Sequence, residues 1–205
     1  MIKTIVFDFG NVFINLDIEG ALSRTCQILG IDIFSEEIIA INSLYEQGLI
    51  TTREFLEFYK THIPDQSKET LIEVWNCLLK DFPKYRLEFL KTLKLTSKYK
   101  LILLSNTNEL HINWIIENVS FYNIFKACFD AFYLSHEINL RKPNRDIFEF
   151  VLTENKLNPC ECLFIDDNQA NIKTADQMEF QTWHINPKTE DVVDLFKTKS
   201  NLFNS

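Results

Sequence analysis

The chain has 205 residues and a mass of 24.2 kDa, enough to bury a substantial core with no disulfide or metal staple. Its 46% hydrophobic and 24% charged content, with only 4 Gly and 5 Pro, excludes collagen-like and low-complexity classes. Twenty-one Lys and Arg against 29 Asp and Glu give a net charge of −8 with no basic patch, which argues against nucleic-acid and anionic-membrane partners.

The first apolar run, Ile2 to Phe7, stops abruptly at Asp8 and reads as a buried parallel strand. Nothing before it has the basic flank, long apolar region and small-residue cleavage site of a signal peptide, so a cytoplasmic address is expected. From Asp17 to Phe82 the periodicity and caps predict helix throughout, in four short pieces. Start signals are Asp17, Ser35, Thr51 with Glu54 as a capping box, and Ser67, while Gly30 and Gly48 stand where left-handed residues end helices. In the third piece Phe55, Leu56, Phe58, Tyr59 and Ile63 form one apolar face, the pattern of a local core.

Beyond the insertion, strand and helix patterns alternate. Helices are predicted over Leu87 to Tyr99, Glu109 to Asn118, Asp146 to Asn155 and Asn171 to Met178. Strands are predicted over Leu101 to Leu104, Phe129 to Leu134, Cys162 to Ile165 and Gln181 to Ile185. The expectation is an α/β fold: a Rossmann-like parallel five-stranded sheet with helices on both faces and an inserted small four-helix cap. The core takes residues 1–16 and 83–205 and the cap residues 17–82. The longest apolar stretches fall far short of the about 18 residues a membrane span needs.

Five scattered cysteines, Cys26, Cys77, Cys128, Cys160 and Cys162, read as structural, since the closely spaced pair lacks a second pair to complete a zinc site. His62, His111, His136 and His184 show no metal-ligand spacing.

In an open parallel sheet, ligands bind beyond the carboxyl ends of the strands. Here those ends carry Asp8, Ser105 with Asn106, and the pair Asp166 and Asp167, while Arg141-Lys142-Pro143 follows the fourth run. Carboxylates brought together repel by about 4 kcal/mol per pair at about 4 Å under an effective dielectric of about 20. Positive charge must sit among them. A hard divalent cation with oxygen ligands, Mg²⁺ above all, meets that need. Lys142 supplies a second positive charge, and the Ser105 hydroxyl and Asn106 backbone N–H offer donors to phosphate oxygens.

The segments Asp8-Phe9-Gly10-Asn11-Val12, Leu104-Ser105-Asn106-Thr107, Arg141-Lys142-Pro143 and Ile165-Asp166-Asp167-Asn168 together resemble the four motifs of the haloacid dehalogenase-like hydrolase superfamily. The likeness is greatest to the phosphatase branch with a small helical cap, and within it to the α-D-glucose-1-phosphate phosphatases. The resemblance implies that Asp8 is a nucleophile forming an aspartyl-phosphate and that Asp8, the Gly10 carbonyl, Asp166 and Asp167 surround Mg²⁺. It further implies that Ser105, Asn106 and Lys142 clamp phosphate, Lys142 also being catalytic. The expected activity is hydrolysis of a small phosphorylated metabolite, such as a sugar phosphate, by a monomer or homodimer.

One departure stands out. Most phosphatases of the superfamily carry an acid two residues after the nucleophile, where this chain has Gly10; general acid–base help is typically worth about 10² to 10⁴ in rate. The similar glucose-1-phosphate phosphatases also have Gly there. Two alternatives follow: a metal-independent 2-haloacid dehalogenase, and a non-catalytic phosphometabolite-binding module that lost turnover through Gly10. Asn15, Asp17, Asn108 and His111 lie near the motifs, with Asp17 reading chiefly as a helix cap. On the insertion, Arg24, Tyr45, Glu46 and Arg53 could face the site.

Overall fold

The computed structural model describes residues 1–30, 32, 34–96 and 98–203. In chain order the elements are β1 (Thr4–Phe7), α1 (Ile18–Leu29), α2 (Glu36–Glu46), α3 (Thr52–His62), α4 (Lys68–Asn76), α5 (Lys84–Leu95), β2 (Lys100–Ser105), α6 (Glu109–Asn118), α7 (Tyr122–Ala127) and β3 (Ala131–Leu134). There follow α8 (Ser135–Ile138), α9 (Arg145–Asn155), β4 (Cys162–Asp166), α10 (Gln169–Gln177), β5 (Gln181–His184), α11 (Leu195–Thr198) and α12 (Ser200–Phe203). The strands form one parallel sheet in the order β3-β2-β1-β4-β5.

Period-two alternation decides which face each strand residue serves. Ile5 and Phe7 join Leu101, Leu103, Leu163 and Ile165 on one face, covered by Leu87, Leu90 and Leu93 of α5, Ile112 and Ile115 of α6, and Phe125 of α7. Val6, Ile102, Leu104 and Phe164 point the other way, against Ile147, Phe148 and Val151 of α9 and Ile172 and Ala175 of α10. Both faces are buried, which is why the strands read as continuous apolar runs.

The four inserted helices have a core of their own, built from Ile38, Tyr45, Phe55, Leu56, Tyr59 and Leu71 and joined to α6 through Leu110. Their caps are those expected: Asp17, Ser35, Thr51 and Ser67 each accept from a first-turn N–H, and the Thr51–Glu54 box is complete. Gly30, with φ 67°, closes α1.

Helix does not run through the whole insertion. After a turn at residues 77–78, residues 79–83 form an extended return path, on which Leu79 bridges Leu16 antiparallel. Asn15 N–H donates to Asp81 O, Lys80 N–H to Asn15 O, and Asp17 N–H to Leu78 O, each at 2.9 Å. The chain thus leaves and re-enters the sheet layer as a paired double strand. Arg86 of α5 braces it: Nη1 donates to Phe13 O at 3.2 Å and Asn15 Oδ1 at 2.8 Å, and Nη2 to Asp191 Oδ2 at 2.9 Å. The helix expected over Leu87 to Tyr99 runs instead over Lys84–Leu95, and Ser97 of that span lies outside the described residues. No helix among the described residues is long and apolar enough to cross a membrane.

Candidate active site

Strand order places the reversal of winding at β1 and β4, and the register Phe7↔Ile165 brings the next residues, Asp8 and Asp166, side by side. Asp8 N–H continues the ladder onto Ile165 O at 2.9 Å, which pins the backbone carrying the carboxylate. On the other side of β1, β2 delivers Ser105 to the same edge.

Between the two acids lies Lys142. Its Nζ donates to Asp8 Oδ1 at 2.9 Å and to Asp166 Oδ2 at 2.7 Å, with the Lys142 side chain 1% exposed and that of Asp166 wholly buried. The ammonium also stands 5.4 Å from the centroid of the Phe164 ring, a cation–π contact. Asp166 accepts two further hydrogen bonds, at Oδ2 from Asn171 Nδ2 at 3.0 Å and at Oδ1 from Asn168 N–H at 2.7 Å. Asp167 takes the other direction, where Asn11 Nδ2 donates to its Oδ2 at 2.8 Å. Asn11 is left-handed, at φ 54°, and its Oδ1 accepts from Leu16 N–H at 3.0 Å. Asp8, Asp166 and Asp167 each place a carboxylate oxygen within 4.8 Å of the others.

Charge balance follows from this packing. Burial pushes the Asp8 carboxyl up to about 7, outweighing the pull of Lys142, and the neighbouring Asp166 and Asp167 add to the rise. Burial also raises Asp167, against the Asn11 hydrogen bond. For Lys142, burial works against the charge, yet Asp166 and Asp8 together hold the ammonium above its ordinary value. One buried cation does not neutralise three gathered carboxylates. The surplus negative charge and all-oxygen donor set suit a hard divalent ion such as Mg²⁺.

Ser105 is 2% exposed and borders the cleft with Asn106. The Asn106 side chain has a task the sequence did not suggest: Nδ2 donates to Lys142 O at 2.8 Å and Oδ1 accepts from Lys142 N–H at 3.0 Å. It clamps the backbone that presents the lysine. The cleft measures about 410 Å³ and is bordered by Asp8, Gly10, Ser105, Asn106, Lys142 and Asp167, with side chains of the insertion opposite them. A Cβ on Gly10 would lie 2.6 Å from Leu16 Cδ1, so any side chain there would have to displace Leu16.

Several expectations are corrected. Asn15 is engaged with Asp81 and Arg86, away from the cleft, whereas Asp17 caps α1 as expected. Asn108 is fully buried as the α6 cap, its Oδ1 accepting from His111 N–H at 3.1 Å and from Trp75 Nε1 at 3.3 Å. Tyr45 stacks on Phe55 at 4.1 Å inside the helical core, Arg53 pairs with Glu57 on the surface, and Arg24 is exposed. Glu46 alone of the four borders the cleft. Sequence reasoning missed Asn11 and Asn171, which look like ordinary turn and helix-start residues. The signal that could have found Asn171 is its place in the first turn of α10, beside the strand end it serves.

His111 also borders the cleft, but in a fixed neutral form. Its Nε2 donates to Trp75 O at 3.2 Å and Nδ1 accepts from Asn108 Nδ2 at 3.0 Å, while burial lowers its pKa from 6.5 to about 4. The unfolded chain therefore takes up this proton first. The stability His111 contributes is present above pH 6.5 and lost as pH falls toward 4, a change of about 3 kcal/mol. Urea unfolding across that window should show His111→Phe losing this part of the pH dependence; identical profiles for variant and wild type would contradict it.

Residues 2–178 match the haloacid dehalogenase-like hydrolase family, and the chain belongs to it. Among its relatives is the D-ribitol-5-phosphate phosphatase of Bacteroides thetaiotaomicron, 27% identical over 192 residues that cover 89% of this chain and 91% of that protein. Among solved structures, a haloacid dehalogenase family enzyme of the same organism, in complex with magnesium and inorganic phosphate, is 33% identical with a TM-score of 0.81, covering 96% of this chain and 100% of its own. A predicted hydrolase of this family from Porphyromonas gingivalis superposes with a TM-score of 0.84 at 27% identity, over 100% and 99% of the two chains.

Proposed function

We propose that the protein is a Mg²⁺-dependent phosphomonoesterase acting on a small phosphorylated metabolite, a sugar or polyol phosphate. The observation that carries the reading is Lys142 buried between Asp8 and Asp166, with Asp167 beside them. A structural ion pair has no use for the extra acids, whereas phosphoryl transfer needs a nucleophile held among fixed charges. Likeness to the D-ribitol-5-phosphate phosphatase supports the reaction class.

In this reading Asp8 attacks phosphorus, the P–O bond to the leaving group breaks with its oxygen taking a proton from water, and a water molecule then hydrolyses the aspartyl-phosphate to phosphate and regenerated carboxylate, releasing its proton to solvent. Lys142 holds Asp8 in place and offsets the charge of the phosphoryl oxygens, to which Ser105 Oγ and the Asn106 backbone N–H donate. Asp8, Asp167 and the Gly10 carbonyl would hold the cation, while Asp166, with its oxygens already engaged, orients Lys142. When bound, Mg²⁺ supplies Lewis-acid stabilisation and fixes the phosphate. Residues 17–82 serve as a cap over the cleft, excluding water before attack. With Gly10 in place of an acid, esters with good leaving groups are favoured.

The test is phosphate release from α-D-glucose 1-phosphate, D-ribitol 5-phosphate and a nucleotide monophosphate, with and without Mg²⁺. Activity unaffected by a chelator sinks the reading. Because Asp8 must be ionised to bind a cation, Mg²⁺ affinity is expected to weaken by up to about tenfold per unit as pH drops below about 7. Calorimetric titration from pH 5.5 to 8.5, on the order of the range over which this carboxyl ionises, checks it, and a flat profile would count against Asp8 as a ligand.

A further inference from the structure

Beyond its phosphate-binding end the cleft wall is largely apolar, with Leu16, Ile18, Leu22 and Trp75 along it. One polar patch interrupts that wall. Asn42 and Glu46 lie four residues apart on α2 and so share a face, and both border the cleft together with Arg141, the residue before Lys142. Arg141 Nε donates to Glu46 Oε2 at 2.6 Å, with the two side chains 34% and 27% exposed. The patch is built on a stiff joint. Ser135 Oγ bonds to Glu46 O at 2.5 Å, Asn139 Nδ2 donates to Gln47 O at 2.8 Å, and Gly48 packs so tightly that a Cβ there would lie 2.1 Å from His136 O.

Hydrogen-bonding capacity remains at this patch. Tyr59 Oη donates to Asn42 Oδ1 at 2.7 Å, and among the described residues Asn42 Nδ2, Glu46 Oε1 and the terminal guanidinium nitrogens of Arg141 have no protein partner. By contrast, Trp75 Nε1 and both His111 ring nitrogens are already paired. What is left is a carboxylate acceptor flanked by amide and guanidinium donors. A hydroxyl both donates and accepts, so neighbouring hydroxyls can use all of these groups, while an alkyl chain uses none.

We propose that Asn42, Glu46 and Arg141 are specificity-determining residues that bind the hydroxyls of a polyhydroxylated leaving group. The inference rests on the phosphomonoesterase reading and adds to it the residues that select the substrate. Phosphate release with Mg²⁺ is compared for two pairs of esters: D-ribitol 5-phosphate with n-pentyl phosphate, and α-D-glucose 1-phosphate with cyclohexyl phosphate. In at least one pair the wild-type kcat/KM favours the hydroxylated ester by about 10²-fold or more, since charged hydrogen-bonding groups left unpaired by the alkyl ester discriminate strongly. Glu46→Gln and Arg141→Met each reduce that preference about tenfold or more. A wild-type enzyme that hydrolyses both members of each pair equally well overturns the proposal, a result that needs no variant to fold. So does a preference that stays within about twofold of wild type in both variants, a margin well below the loss of one charge-assisted bond. Either result leaves the phosphatase reading standing. No release from any ester overturns that reading and this proposal together.

Discussion

Asp8→Asn should lower phosphate release by at least about 10⁴-fold, the scale on which removal of a nucleophile acts. The amide is nearly isosteric but cannot form the aspartyl-phosphate. Folding should survive: Lys142 keeps Asp166 as a partner at 2.7 Å, and the variant no longer buries a carboxylate whose charge burial disfavours. Initial rates and urea unfolding of the same preparation separate the two effects. A variant that folds and still turns over would remove Asp8 from the chemistry.

Lys142→Met carries the largest expected stability loss. Without the ammonium, Asp166 remains wholly buried with only the Asn171 amide and the Asn168 N–H as donors, and Asp8 loses its countercharge. Breaking a buried pair from one side typically costs about 3–5 kcal/mol, and here one cation serves two acids. The sign of the pH response identifies the cause. Asp8, already shifted upward by burial, rises further without its countercharge, so the folded variant binds that proton more tightly than the unfolded chain and regains stability as pH falls toward the ordinary carboxylate range. Urea midpoints for wild type and variant at pH 5 and pH 8, about three units apart on either side of the raised Asp8 value, should converge on the acid side. A deficit equal at both pH values would point to lost packing.

The sheet and the acid cluster were legible because buried parallel strands leave continuous apolar runs and their last residues stand at the ligand-binding edge. Asp8, Ser105 and Asp166 each ended such a run. The tasks of the asparagine side chains were not legible. Asn11 and the Asn106 side chain act through partners remote in sequence, Asn171 reaches back 5 residues to Asp166, and an asparagine before a helix or in a turn has the same local signature whether it caps or supports a carboxylate. Helical phase failed for a similar reason: Tyr45 and Glu46 are adjacent, yet one enters the helical core and the other the cleft. The short helices α7 and α8 and the extended path over residues 79–83 are too brief for periodicity to register.

The position of β1 at the centre of the sheet bears on how the protein is made. Asp8 leaves the ribosome well before its partners, since Lys142 lies 134 residues further along and the Asn11–Asp167 contact spans 156. During synthesis the nascent strand Thr4–Phe7 must wait unpaired for both flanking strands, a topology of long-range closure that folds slowly and leaves apolar edges open to aggregation. Fragments ending before β4 would contain Asp8 and lack Asp166 and Asp167, so an incomplete chain cannot assemble the acid cluster.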